Sequence, residues 1–206
     1  YSDKGLDHAK EVAQIIKKYQ AGGVLFLKGS PKTQVNYTNY FQSYANVPLL
    51  IAIDAEWGLA MRLDSTVEYP KQIMLGAITD NELIYEMSAD IARQCQRMGI
   101  HINFAPVADI NTNPDNPVIN YRSCGENVDN VSIKAYQYCK GLQDNHILPT
   151  AKHFPGHGDT RYDSHKTLPV IIHNVNRLDS IELAPFRYII NKGGMGIMTA
   201  HLNIPS

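Results

Sequence analysis

Cysteine, tryptophan and any excess of one charge are scarce in this sequence. Of 206 residues three are Cys and one is Trp, and 19 basic side chains stand against 20 acidic ones, a formal net charge of −1. Cys95, Cys124 and Cys139 are odd in number and widely spaced, which excludes a disulfide framework or a zinc-ligand pattern and leaves free thiols packed as small hydrophobes. Without a basic excess nothing offsets the counterion cost of holding a phosphate backbone, so nucleic acid is not an expected partner. No apolar run approaches the ~20 residues of a membrane span. The 14 Gly and 11 Pro are an ordinary share, which excludes collagen-like and low-complexity classes, and 44% hydrophobic residues is too apolar for a disordered chain. Tyr is what abounds, twelve against five Phe, an aromatic with a polar tip that suits a wet cleft.

Apolar residues Val12, Ile15, Ile16 and Tyr19 recur at helical spacing over about 6–20, with Gly22-Gly23 as the stop. The run Val24-Leu25-Phe26-Leu27 then reads as a strand buried on both faces. The pattern repeats: helix 34–45, strand 49–53, loop 54–70, helix 81–98 closed by Gly99, strand 100–104, and a long loop over 106–127. Helix 128–144, strand 147–151, loop 153–169, helix 175–192 and strand 195–200 follow. Alternating strands and helices, with strands lacking in–out alternation, predict an α/β protein with parallel βαβ units. The long polar loops all follow strand ends, and none is a Gly-rich phosphate loop, which favours a (β/α) barrel over a nucleotide-binding sheet. Five strands are visible where a barrel has eight. The chain also opens on Tyr1 without Met or a leader and closes just after an apolar run, so we expect a slice of a longer polypeptide.

Chemistry-bearing residues gather in those loops. The densest cluster runs from Lys152-His153-Phe154-Pro155-Gly156-His157-Gly158-Asp159 through Thr160 to Asp163-Ser164-His165. A merely solvated loop would not need the backbone shape that Pro155, Gly156 and Gly158 impose. One reading is a metal site built from His153, His157, Asp163 and His165; Pro155-Gly156 rules out its helical His-x-x-x-His form. The other is proton transfer, with Asp163 accepting an imidazole proton from His165 and leaving the second ring nitrogen to give and take a proton near neutral pH. A second cluster, Asp54-Ala55-Glu56-Trp57-Gly58 with Arg62, suits polyol recognition: carboxylates for hydroxyls and an aromatic face for a sugar ring. Its plain alternative is a capped loop with an exposed ion pair. Arg122 is an obvious donor in the third loop, where Asp109 reads as a loop or cap residue. His201 follows the last strand.

These motifs resemble the signature of glycoside hydrolase family 3, in its β-N-acetylglucosaminidase branch. The likeness rests on Lys-His-Phe-Pro-Gly-His-Gly-Asp at 152–159 with Asp-Ser-His at 163–165, Ile-Asp-Ala-Glu-Trp-Gly at 53–58, Asn-Phe-Ala-Pro-Val-Ala-Asp at 103–109 and Tyr-Arg-Ser-Cys-Gly-Glu at 121–126. It runs from about Gly22 to Ser206. The resemblance implies a (β/α)8 TIM-type barrel, of which 1–206 is a partial N-terminal catalytic domain lacking the first strand and the last strands. It implies retaining hydrolysis of terminal β-linked N-acetylglucosamine from peptidoglycan-type glycosides, with Asp163 and His165 as the acid/base dyad. Asp54, Arg62, Arg122, Lys152 and His153 would hold the sugar hydroxyls, and His201 is a further candidate. The family's nucleophile is an Asp on a later barrel loop, which no residue of this chain matches, so the slice alone is expected to be inactive. No metal or cofactor is expected; the expected partners are a carbohydrate substrate and further C-terminal domains. The alternatives are a family-related glycoside phosphorylase, a metal-dependent hydrolase using the His cluster, and a non-catalytic sugar-binding module.

Overall fold

A computed structural model describes residues 1–161 and 168–205. Helix α1 (Leu6–Tyr19) turns Ala9, Ala13 and Ile16 inward, at spacings of four and three. The sequence expectation placed Ile15 and Tyr19 on that face, but they are 53% and 67% exposed. The helix ends at Tyr19, one residue short of the expected 20, and its cap Gln20, two residues before the Gly pair, lies in the left-handed region at φ 52°. Strand β1 (Gly23–Phe26) follows, then α2 (Pro31–Gln42), which starts at a proline behind the cap residue Ser30, whose hydroxyl accepts from Thr33 N.

Strand β2 (Leu50–Ile53) leads through a long loop to the short α3 (Gln72–Gly76), which the sequence pattern had not marked, and to α4 (Glu82–Arg97). Strand β3 (Ile102–Asn103) and a second long loop precede α5 (Val128–Asp144), whose cap residue Asn127 accepts from Asn130 N. Strands β4 (Leu148–Pro149) and β5 (Ala151–Phe154) are one run bent at Thr150, whose amide donates to both Asn103 O and Ala105 O. The helix expected over 175–192 is two, α6 (Val175–Ser180) and α7 (Ala184–Asn191), before β6 (Ile197–Thr199). Pro185 is the reason: it has no N–H to continue the first helix and is at home in the first turn of the second.

Among the described residues all pairing is parallel. One sheet has the order β1-β2-β3-β4, and β5 pairs with β6. A bridge from Val107 to Lys152, with Ala108 N donating to Lys152 O and Lys152 N to Pro106 O, ties the two sheets together. Strands therefore lie side by side in chain order, as in a barrel wall and without the reversal of a doubly wound sheet. The main core gathers Ile51 and Ile53 of β2 with Ile84, Ile91, Tyr138 and Leu142 of the covering helices, and a smaller one joins Ala151 to Phe186 and Ile189. β1 departs from expectation: Leu25 is 40% exposed, because β1 is an end strand whose one partner among the described residues is β2. The cysteines are free and buried, and burial pushes the Cys95 thiol up to about 12 and Cys124 to about 11, which makes them inert packing residues. Among the described residues no helix is long and apolar enough to cross a membrane.

Candidate active site

The strand ends carry the charge. Just past β2, Asn103 clamps Ala55 from the neighbouring strand: its Oδ1 accepts from Ala55 N at 3.0 Å and its Nδ2 donates to Ala55 O at 3.2 Å. The buried Tyr138 hydroxyl of α5 lies 3.2 Å from the carbonyls of both Ala55 and Glu56. With the backbone fixed, Asp54 and Glu56 hold their carboxylates on either side of Lys152 Nζ, which is 2.5 Å from Asp54 Oδ1 and 2.8 Å from Glu56 Oε1. Arg62 grips Asp54 twice, through Nε to the backbone carbonyl and Nη2 to Oδ2, both at 2.7 Å. Arg122 forms a fork on Glu56, with Nε to Oε2 at 3.0 Å and Nη2 to Oε1 at 2.6 Å. Burial alone would raise the Glu56 pKa; Lys152 and then Arg122 outweigh it and hold the carboxyl at about 2.

A second carboxylate organises the imidazoles. Asp109 is buried, yet its oxygens accept from His153 N at 3.2 Å, His157 N at 2.7 Å and His153 Nδ1 at 2.7 Å. Burial opposes the charge, and His153 with the two backbone amides overcomes it and keeps the Asp109 carboxyl below its ordinary range. His153 Nε2 lies 3.4 Å from Arg122 Nη2. A guanidinium only donates, so in this contact Nε2 accepts and Nδ1 carries the proton toward Asp109. The loop shape that the sequence implied is real: a Cβ on Gly158 would stand 1.8 Å from Ile110 O, and Gly156 sits at φ 142°.

A cleft of about 520 Å³ is lined by Asp54, Arg122, Lys152, His153, His157 and His201 together with Met198–Ala200. Five of the sequence candidates thus share one cleft, and Arg62 joins them through Asp54. Asp163 and His165, the expected dyad, lie outside the described residues. Asp159 faces elsewhere, with its Oδ2 2.5 Å from His173 Nε2. Trp57, expected as a sugar platform, is not among the residues lining this cleft, and Lys71 Nζ sits over one face of its ring, 3.3 Å from the centre. Among the described residues no three His, Cys, Asp or Glu side chains are grouped to hold a metal ion. Sequence reasoning missed the part played by Glu56 and Asp109. The available signal was a carboxylate embedded in an apolar run, as Asp109 is between Ala108 and Ile110.

Residues 4–206 match the family described as the glycosyl hydrolase family 3 N-terminal domain. Beta-hexosaminidase A of Pseudoalteromonas piscicida is 36% identical over 95% of this chain, which spans 35% of that relative. A glycoside hydrolase family 3 beta-N-acetylglucosaminidase from Paenibacillus sp. str. FPU-7 superposes with a TM-score of 0.89 at 40% identity, covering 95% of this chain and 39% of its own. NagZ from Neisseria gonorrhoeae, solved with N-trifluoroacetyl-D-glucosamine, superposes with a TM-score of 0.87 at 28% identity, covering 95% of this chain and 61% of its own.

Proposed function

The chain belongs to glycoside hydrolase family 3, whose N-terminal domain is a TIM-barrel-like α/β fold, and we propose that it is the sugar-binding and acid/base part of a retaining β-N-acetylglucosaminidase. The observation that carries this reading is the convergence of Asp54, Arg122, Lys152 and His153 on one strand-end cleft. Asp54, its carboxylate braced by Arg62 and Lys152, accepts hydrogen bonds from sugar hydroxyls. Arg122 and Lys152 donate to hydroxyl oxygens, and His153 presents Nε2 with its tautomer set by Asp109. The relatives' names and the N-trifluoroacetyl-D-glucosamine bound by the gonococcal neighbour support an N-acetylated sugar.

In this reading the whole protein supplies a carboxylate nucleophile from a barrel loop that follows residue 206. The nucleophile attacks the anomeric carbon while His165, paired with Asp163, protonates the leaving oxygen. His165 then takes a proton from water, which releases the sugar with retention. Peptidoglycan-type fragments are the natural substrate class. The test is turnover by the full-length protein of 4-nitrophenyl N-acetyl-β-D-glucosaminide against the matching glucoside, with and without inorganic phosphate. Free N-acetylglucosamine, formed independently of phosphate, is the expected product. A sugar 1-phosphate would establish a phosphorylase instead, and no turnover of the N-acetylated substrate would overturn the reading.

A further inference from the structure

His157 is nearly sealed from solvent, at 2% exposed, and lines the cleft, yet among the described residues its Nε2 has no hydrogen-bonding partner. Its other nitrogen decides what kind of partner is missing. Thr160 Oγ1 lies 2.7 Å from His157 Nδ1 and 3.0 Å from His157 O, and accepts from Asn116 Nδ2 at 3.4 Å. A carbonyl only accepts, so the single hydroxyl proton goes to His157 O. Nδ1 then carries the ring proton and donates it to Oγ1, which leaves Nε2 with a bare lone pair. Burial holds the imidazole below the usual His range, so the ring stays neutral and the lone pair stays open.

The donors beside it face other acceptors: Arg122 holds Glu56 and Val118 O, Lys152 holds Asp54 and Glu56, and His153 Nδ1 holds Asp109. The ring is kept in place by its backbone, since His157 N donates to Asp109 and His157 O accepts from Asn116 Nδ2 at 2.8 Å. A buried acceptor held without a donor is costly in a finished core and useful in a binding site.

We propose that His157 is a specificity-determining residue whose Nε2 accepts a hydrogen bond from one hydroxyl of the sugar seated in the cleft. This rests on the glycosidase reading above. Thr160 is its positioning residue, because it fixes the proton on Nδ1.

The experiment is calorimetric titration of the full-length protein with N-acetyl-D-glucosamine and its 3-, 4- and 6-deoxy analogues. Wild type is expected to lose about 3- to 10-fold in affinity for the analogue that lacks the recognised hydroxyl, the scale of one neutral hydrogen bond. His157→Asn keeps an amide N–H for Thr160 but has no atom at the Nε2 position. It should bind the parent sugar weaker by that factor and no longer distinguish that one analogue, with the other two penalties intact. Thr160→Val leaves the ring in place but frees its tautomer, and should erode the same discrimination should His157→Asn fold poorly. Unchanged penalties in either folded variant would make the imidazole structural and overturn the inference. Absence of sugar binding by wild type would overturn the glycosidase reading and this inference with it.

Discussion

The ammonium of Lys152 and the carboxylate of Glu56 meet 2.8 Å apart with the side chains 2% and 0% exposed. Lys152→Met removes that cation and leaves Asp54 and Glu56 facing each other with less compensation. The expected loss is about 3 kcal/mol of stability, the low end for breaking a buried pair, because Arg122 still holds Glu56. Urea titration of wild type and variant measures it. A loss within the scatter of ordinary surface substitutions would show that the lysine is dispensable to the fold.

Acid should expose the same network. The Glu56 carboxyl is held at about 2 in the folded protein against an ordinary 4.5. A folded pKa below the unfolded one means that the unfolded chain binds more protons between those values, so this stability is full above about pH 4.5 and is lost as pH falls toward 2. His157 adds a loss that begins higher, as pH falls through the ordinary His value of 6.5, because burial depresses it too. Thermal melts across this range should show both slopes. Glu56→Gln should flatten the lower one and leave the upper one unchanged.

The proposed dyad has a leaving-group signature. With a nitrophenolate leaving group little protonation is needed, so His165→Ala should mainly slow the second step. With a natural disaccharide the acid is required in the first step, and the loss should reach the range of about 10²- to 10⁴-fold typical of general acid–base help. Asp163→Ala should move in the same direction by less, since it removes the partner and leaves the imidazole. Rate measurements on both substrates check this; equal losses would assign His165 to binding.

Chelator treatment should leave hydrolysis by the full-length enzyme unchanged. The expectation follows from the geometry: among the described residues no three His, Cys, Asp or Glu side chains are grouped around one point where an ion could sit. Activity lost to chelator and restored by zinc would replace the dyad with a metal site.

Much of this was legible in the residue order because the relevant signals are local. The helix expected over 128–144 coincides with α5, and apolar runs placed the strands that Asp54 and His201 follow, while Lys152 lies just inside β5, one residue past the expected strand. The rest depends on partners far along the chain. Asp109 reads as a cap until His153 and His157, more than forty residues on, turn their amides toward it. Trp57 reads as a sugar platform until the fold leaves it out of the cleft lining, with Lys71 over one face of its ring. The break between α6 and α7 was visible as Pro185 and was outweighed by a continuous apolar rhythm on either side.

The bridge from Asp54 to Lys152 spans 98 positions of sequence. During synthesis the two carboxylates therefore emerge long before Lys152, the cation that they share. At about 5–20 residues per second the lysine lags Asp54 by roughly 5–20 seconds, during which Asp54 has Arg62 beside it and Glu56 waits for Arg122. The ionic network that shapes the cleft is therefore complete only once β5 has joined the wall.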